Sequence, residues 1–459
     1  MHRRPISDAR NPRSGVALVL AALFCLILIP MVGLAIDGAN TYMVREAIST
    51  AADAAALAGA RSLSVGQTPA AQAASATAMA QAVFNADISA ISSPLSNASV
   101  AVGVASVNGS HLRTVTVTAT GTVPVMFLSI LGVKSTPLSV TTVAQRRDLN
   151  LILVLDHSGS MSQVMSTVQT DAIDFIDQFA SGRDNVGLVS FTGAAFMAYA
   201  PSTSFMTATP NVPTLIGDMT SANGATNTAQ GIWMAYQQLV KLNQPGAFNV
   251  IVVFTDGLAN TFTASFSGHI ASSAGCNKLS TPLTGVLLAD IYNTGTMGLS
   301  DPTAQSLNDA TELRAAPAGN GCANIAASWS IANYLTSIPS EDTNGNSTNG
   351  TGSISAYAPV NLNQVTPANV TNSGLNAFDD AANRIRSDGS LKPAIYTIGL
   401  GNNPGLPPDQ VLLARVANDP GSPSFNRNQV TGLSVFSPTV TQLHAAFHQV
   451  ASQILRLAR

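Results

Sequence analysis

The hydrophobic pattern changes character several times along the chain. From Gly15 to Ile36 it reads GVALVLAALFCLILIPMVGLAI, with no charge between Arg13 and Asp37. An α-helix over this run spans about 30 Å, one hydrocarbon core. Pro30 removes one helical hydrogen bond, which a membrane helix tolerates. Residues 38–61 then become alanine-rich, and neither Gly nor Pro falls between Ala39 and Ala58, so the helix is expected to continue past the apolar run. A second Ala-rich helix is expected near Pro69–Ala86. The pattern then changes to alternation over 98–104, 114–120 and 138–143, rich in Val and, in the last two, Thr, which predicts short strands.

From residue 149 the pattern changes again. Leu149-Asn-Leu-Ile-Leu-Val-Leu is nearly continuously apolar, as a strand buried on both faces would be. A helical stretch runs from Val164 to Ala180, and Asn185-Val-Gly-Leu-Val-Ser-Phe reads as the next strand, with Phe196–Ala200 as a short partner. Asn223-Gly-Ala-Thr-Asn-Thr opens a helix through Leu239. Phe248-Asn-Val-Ile-Val-Val-Phe is a second buried strand, and Ala394-Ile-Tyr-Thr-Ile-Gly-Leu-Gly a third with a glycine-rich exit. An amphipathic helix from Val440 to Leu457 closes the chain.

Composition narrows the class. The chain has 459 residues, 10% of them charged, and a net charge of -3, which offers no basic face for nucleic acid. Low charge with abundant Ala, Ser, Thr, Asn and Gly suits a secreted or periplasmic protein. Arg3, Arg4, Arg10 and Arg13 precede the apolar run, opposed only by Asp8. The positive-inside rule then keeps residues 1–14 in the cytoplasm, makes 15–36 a transmembrane helix, and sends the rest across. A cleaved signal peptide is the alternative, because Gly33 and Ala35 are small, but the run exceeds the usual signal core. Cys25, Cys276 and Cys322 lie far apart, without zinc or redox spacing. Cys25 reads as a small apolar residue in mid-membrane.

The candidate chemistry sits at strand exits. The Leu149 strand ends in Asp156-His-Ser-Gly-Ser-Met, and the Phe248 strand in Thr255-Asp-Gly. Ligands of open α/β sheets bind outside the carboxyl ends of the strands. Asp-x-Ser-x-Ser lets one carboxylate and two hydroxyls converge within a turn, and Gly159 permits the tight backbone. These hard oxygen donors suit a divalent cation, Mg²⁺ first, with Mn²⁺ or Ca²⁺ as alternatives. His157 has no neighbouring His in sequence and is expected to point away from the ligands. His444 and His448 are one turn apart without a third ligand, so a solvated helix face is the better reading. The Ser-centred elbow of a hydrolase, the phosphate-binding loop and the dinucleotide glycine pattern do not occur, so neither nucleophilic catalysis nor nucleotide binding is expected.

Two resemblances follow. Ile36-Asp37, Ala51-Ala-Asp-Ala-Ala-Ala-Leu-Ala-Gly-Ala and Val123-Pro-Val-Met-Phe-Leu-Ser-Ile-Leu-Gly make residues 14–145 similar to the N-terminal region of TadE/TadG-like proteins of Flp (tight-adherence) pilus assembly. The chain departs from a processed pilin, which would carry Glu five residues after the cleavage-site Gly; Leu20 stands at that spacing from Gly15. That favours an uncleaved, TadG-like anchor. The second half resembles the von Willebrand factor A (vWA) fold with its metal-ion-dependent adhesion site (MIDAS). That resemblance implies a Rossmann-like, doubly wound, mainly parallel α/β sheet over 148–459. It implies that Ser158 and Ser160 bind the metal directly, that Asp156 and Asp256 act directly or through water, and that Thr226 joins in one conformational state. Residues 37–147 are then expected to form a small α+β, pilin-like region.

A vWA domain needs one helix between the Asp256 strand and the next, and Ala377–Arg386 supplies it. Residues 260–373 read as an insertion, with a helix near Ala323–Leu335 and a polar stretch from Ser340 with too little apolar content to fold alone. In an oxidising compartment Cys276 and Cys322 are expected to pair, with two free thiols as the alternative. The insertion leaves the sheet beside Asp256, so it is expected to border or cap the site and to lend an acidic side chain such as Asp301 or Glu341.

These expectations combine into a single-pass protein of the bacterial inner membrane, its vWA domain periplasmic or extracellular. It would take part in pilus assembly or adhesion by binding a protein partner through a metal-bridged carboxylate, and would not be an enzyme. A structural envelope protein with a silent metal site and a metal-dependent hydrolase are the alternatives.

Overall fold

The computed structural model describes residues 13–63, 65–66, 68–89, 95–107, 111–221, 225–266, 269, 284–290, 296–300, 335–350, 356–402 and 407–458. Cys276, Cys322, Asp301 and nearly all of the helix expected over 323–335 lie outside the described residues, as do residues 1–12 of the expected cytoplasmic tail. The chain divides into two compact units: Met1–Val65, Gln72–Ala105 and Thr114–Gln145 form one; Gly66–Ala71, Ser106–Arg113 and Arg146–Arg459 form the other.

In the first unit, α1 (Arg13–Ser62) is one helix through the apolar run and the alanine-rich segment, with Pro30 inside it. Its large apolar side chains from Val16 to Ile36 are exposed, whereas Val44, Ile48, Ala51, Ala52, Ala55 and Ala56 are buried. The change from apolar all round to one buried stripe marks where the solvent-like surroundings of the helix change. The stripe packs with α2 (Pro69–Ser89) and with an antiparallel-type meander of β1 (Ser96–Val107), β2 (Leu112–Pro124) and β3 (Ser135–Arg147) in the order β1-β2-β3. Strand β2 buries every second residue, Val115, Val117 and Ala119 among them, as the period-two pattern predicts. Small residues let α1 come close: a Cβ on Gly59 would lie 3.0 Å from Val115.

The second unit is built on a six-stranded sheet in the order β12-β11-β7-β4-β5-β6. Its strands are β4 (Leu149–Asp156), β5 (Asn185–Phe191), β6 (Ala195–Ser202), β7 (Phe248–Thr255), β11 (Ala394–Leu400) and β12 (Leu433–Ser437). All neighbours are parallel except the edge strand β6, which is antiparallel to β5. Successive residues feed opposite cores. Ile152 and Val154 of β4, with Ile251 and Val253 of β7, face α5 (Thr228–Leu242) and α6 (Pro367–Arg386). Leu151, Leu153, Val252 and Phe254 face α3 (Met165–Ile176) and α8 (Leu443–Leu457). Phe447 of α8 stacks on Phe254 and leans on Phe175. This is the doubly wound α/β arrangement expected from sequence.

Three elements carry too weak a pattern to be read from sequence. Helices α4 (Val212–Gly217) and α7 (Gln410–Val416) are only one to two turns long, and β12 is a half-buried edge strand. At the opposite end of the sheet from the candidate site, Asn150 donates Nδ2 to Asn249 Oδ1 at 2.8 Å and accepts Asn185 Nδ2 at 2.8 Å. Asn249 passes its own Nδ2 on to the Leu391 carbonyl at 2.9 Å. A ladder of three amides, Asn150 and Asn249 buried and Asn185 half-buried, thus links β5, β4 and β7 in register.

The insertion has its own antiparallel sheet, β10-β9-β8, from β8 (Thr261–Ser265), β9 (Thr284–Asp290) and β10 (Thr296–Ser300). Phe262, Ala264, Leu287 and Ala289 join the same core as α5 and α6. Helix α6 starts at Pro367, ten residues before the expected Ala377, because Thr366 caps it by accepting from the Asn369 N–H. The polar stretch at 340–350 is folded by docking, not by its own core. Asp342 accepts from the Asn344 and Asn346 N–H groups at 2.8 Å, Ser347 N donates to Asp380, and Arg384 reaches the Asn344 carbonyl and Asn346. Hydrogen bonds to α6 supply what its composition lacks.

Candidate metal centre

Strand register brings the acidic groups together. Leu155 of β4 pairs with Phe254 of β7, so Asp156 and Thr255 follow side by side at the carboxyl ends of the two strands. Thr255 Oγ1 donates to Asp156 Oδ2 at 2.6 Å, and the other oxygen of Asp156 accepts from the Ser158 N–H at 2.8 Å. Ser158 Oγ lies 3.1 Å from Ser160 Oγ, and Ser160 Oγ donates to Asp256 Oδ1 at 2.6 Å. Asp156, Ser158, Ser160 and Asp256 therefore belong to one hydrogen-bonded chain. Thr226 stands beside it: a Cβ at Gly257 would lie 3.2 Å from Thr226 Oγ1 and 4.0 Å from Ser160 Oγ. The five side chains proposed as ligands thus converge on one end of the sheet.

The electrostatics are those of acids packed together. Asp156 and Asp256 are both fully buried. Burial pushes the Asp256 carboxyl up to about 7, and repulsion from Asp156 adds to the rise against the Ser160 hydrogen bond. Burial also raises Asp156, opposed by Thr255 and Ser158. Asp256 Oδ2 is buried with no hydrogen-bond partner among the described residues. A buried carboxylate oxygen without a donor, next to a second carboxylate and two hydroxyls, fits a hard divalent cation.

His157 lies between the candidate ligands in sequence but takes no part in their chain of hydrogen bonds. Its Nδ1 meets the Thr220 carbonyl at 3.0 Å; a carbonyl only accepts, so Nδ1 carries the proton. Burial lowers its pKa and favours the neutral ring. His444 and His448 are both exposed on α8, as expected of a solvated face, and His444 Nδ1 in addition lies 3.3 Å from Asp171 and 3.7 Å from Asp174 on α3. His444, Asp171 and Asp174 are a second cluster with metal-ligating atoms, one that helix packing creates and sequence spacing hides.

Two residues that support the candidate site were not singled out from sequence. In the sequence Thr255 only ends a strand, and it is the register of β7 on β4 that sets it against Asp156. Asn260, at the start of the insertion, accepts the Thr226 N–H at 3.0 Å and donates to the Ala289 carbonyl at 3.2 Å. It couples β9 of the insertion to the loop carrying Thr226, so the insertion borders the candidate site through an amide. Glu341 is exposed and bridges Ser347 through its backbone.

The von Willebrand factor type A domain model matches residues 150–275. The model described as putative Flp pilus-assembly TadE/G-like matches residues 15–62. No curated protein matches the chain. Among solved structures, the PilB minor pilin from Streptococcus sanguinis is 14% identical, with 80% of this chain and 79% of that one covered and a TM-score of 0.38. The vWF domain of the type V pili tip protein Mfa5 from Porphyromonas gingivalis is 15% identical, with 68% and 97% covered and a TM-score of 0.36. A conserved hypothetical protein, BatB, from Bacteroides thetaiotaomicron is 11% identical, with 67% and 99% covered and a TM-score of 0.31. With the doubly wound sheet and the long apolar helix in place, the two family matches identify a chain that carries a TadE/G-like region at its N-terminus and a von Willebrand factor type A domain after it.

Proposed function

We propose that this chain is a membrane-anchored, TadG-like component of Flp pilus assembly or surface adhesion, and that its vWA domain binds a protein partner through a divalent cation. Asp156, Ser158, Ser160, Thr226 and Asp256 would hold the ion, Mg²⁺ first among the candidates. The cation would supply an electrophilic position that a carboxylate of the partner fills. The observation that carries this reading is the buried Asp256 Oδ2, without a hydrogen-bond partner among the described residues, beside the Asp156 carboxylate. Binding fits the site better than catalysis, because the imidazole between the candidate ligands in sequence, His157, is buried, favours the neutral form and meets the Thr220 carbonyl. The apolar half of α1 would span the inner membrane with the arginine-rich N-terminus in the cytoplasm and the vWA domain on the far side.

The test uses the full chain in detergent, offered to an envelope fraction under chemical cross-linking. The expected outcome is a discrete partner captured with Mg²⁺ and lost with chelator, with Asp156→Ala and with Thr226→Ala. Capture that ignores both chelator and substitution overturns the adhesion reading. Absence of any Mg²⁺-dependent thermal shift in the wild type overturns the metal site itself.

A further inference from the structure

We infer that the turn between β2 and β3, residues 125–133, is embedded in the lipid of the outer leaflet as a second membrane contact beside α1. The inference rests on α1 being the membrane anchor. The turn reads Val-Met-Phe-Leu-Ser-Ile-Leu-Gly-Val and is followed by Lys134. Met126 is 75% exposed and Ile130 80% exposed, a large apolar surface with nothing of this unit covering it.

Position along α1 decides what covers it. The turn lies in a groove with Ile29, Pro30 and Leu34 on one side and Phe127, Leu128 and Ile130 on the other. Asp37 marks the end of the uncharged run, and Ile29 stands about 12 Å deeper along a helix rising 1.5 Å per residue. A segment packed at the level of Ile29 to Leu34 is therefore at the depth of acyl chains whenever α1 spans the bilayer. The contact is close: a Cβ on Gly33 would fall 2.5 Å from Phe127 Cβ, so only glycine admits the ring.

The backbone of the turn is prepared for lipid, where unsatisfied amides are costly. Asp37 accepts the N–H groups of Met126, Phe127 and Leu128 at 2.9, 2.9 and 2.7 Å. The carbonyls of Lys134, Phe127, Ser129 and Leu128 accept those of Val125, Ile130, Gly132 and Val133. The Ser129 hydroxyl turns back onto the Met126 carbonyl. Asp37, a carboxylate at the membrane boundary, is itself buried beneath these donors. Lys134, at the neck of the turn, is exposed at the level where anionic headgroups lie. Together these features describe an apolar plug clipped to the anchor helix, which would fix the rotation and height of the first unit on the membrane.

Photo-cross-linking of the full chain, reconstituted in phosphatidylethanolamine and phosphatidylglycerol vesicles, tests this. p-Benzoyl-phenylalanine is placed at position 130, at position 23 within the apolar run, or at position 143 on β3. The expected result is a mass gain of one phospholipid at 130 and at 23, and none at 143. A peptide adduct at 130, from a second copy of the chain, overturns the inference. So does lipid labelling at 23 with none at 130. Failure at 23 as well overturns the anchor reading, and the inference with it. The same probe at position 126 repeats the test where replacement of Ile130 prevents folding.

Discussion

Ser160 Oγ donates to Asp256 Oδ1 at 2.6 Å, which ties the loop after β4 to the loop after β7 and leaves the second oxygen of Asp256 buried without a partner among the described residues. Asparagine at 256 keeps an acceptor for Ser160 and removes the repulsion from Asp156. In chelator at pH 8, Asp256→Asn is therefore expected to melt higher than the wild type, and in Mg²⁺ to show no further shift. A variant that melts lower in chelator and still responds to Mg²⁺ contradicts the electrostatic account of the site.

The same carboxyl sets a pH dependence. Its folded value near 7 lies above the unfolded 3.8, so between these values the folded state holds the proton and the unfolded state does not. Folding stability contributed by this group is full below about pH 4 and is lost as pH rises to about 7. Without cation, the urea midpoint is expected to be higher at pH 5 than at pH 8, and Asp256→Asn to shrink the difference. Added Mg²⁺ should help most at pH 8, where the carboxylate is ionised. A metal-free wild type whose midpoint rises over that range speaks against it.

Asn260 acts on the site through Thr226. Asn260→Ala frees the Thr226 N–H and removes the side-chain bond to the Ala289 carbonyl, leaving only the backbone bond from the Ala289 N–H to the carbonyl of residue 260. Losing a residue that orients a ligand typically weakens metal affinity about 10- to 100-fold. Mg²⁺ titration of thermal stability should show a weakened midpoint with the metal-free melting point nearly unchanged. An unchanged Mg²⁺ midpoint would detach the insertion from the site.

Gly374 lets α6 meet the start of β8. An added Cβ would stand 2.8 Å from the Thr261 nitrogen and 3.0 Å from the carbonyl oxygens of Ala259 and Thr261. These are backbone atoms and cannot rotate away, so Gly374→Ala should cost about 1–3 kcal/mol. Limited proteolysis should then cut first within 260–366. Equal resistance to the wild type means that the insertion is not held there.

The asparagine ladder is a stability device separate from the site. Asn150→Ala leaves the Asn249 oxygen and the Asn185 amide without their bonds in a buried setting. The expected cost is about 2–3 kcal/mol in denaturant unfolding, with the Mg²⁺ response of the folded protein intact. A change below the error of the measurement would show that water replaces the ladder at no cost.

Much of this protein is determined by local pattern. The Val-Thr alternation of β2 carries a period of two, whereas the unbroken apolar run of 15–36 and the double-sided apolar strands β4 and β7 were assigned by their length and composition. Asp156, Ser158 and Ser160 were legible as a group because they are neighbours in sequence, and Asp256 because it ends a strand of the same kind. Packing decided the rest. Edge strand β12 and short helices α4 and α7 have too few residues for a period, and the polar stretch at 340–350 is held by its own hydrogen bonds together with partners on α6 and β8. Register placed Thr255 against Asp156, helix packing placed His444 by Asp171, and a turn far along the chain returned to pack Phe127 against Gly33. Each of these joins residues distant in sequence. Local periodicity carries the face a residue presents, and only the closed tertiary structure selects what that face meets.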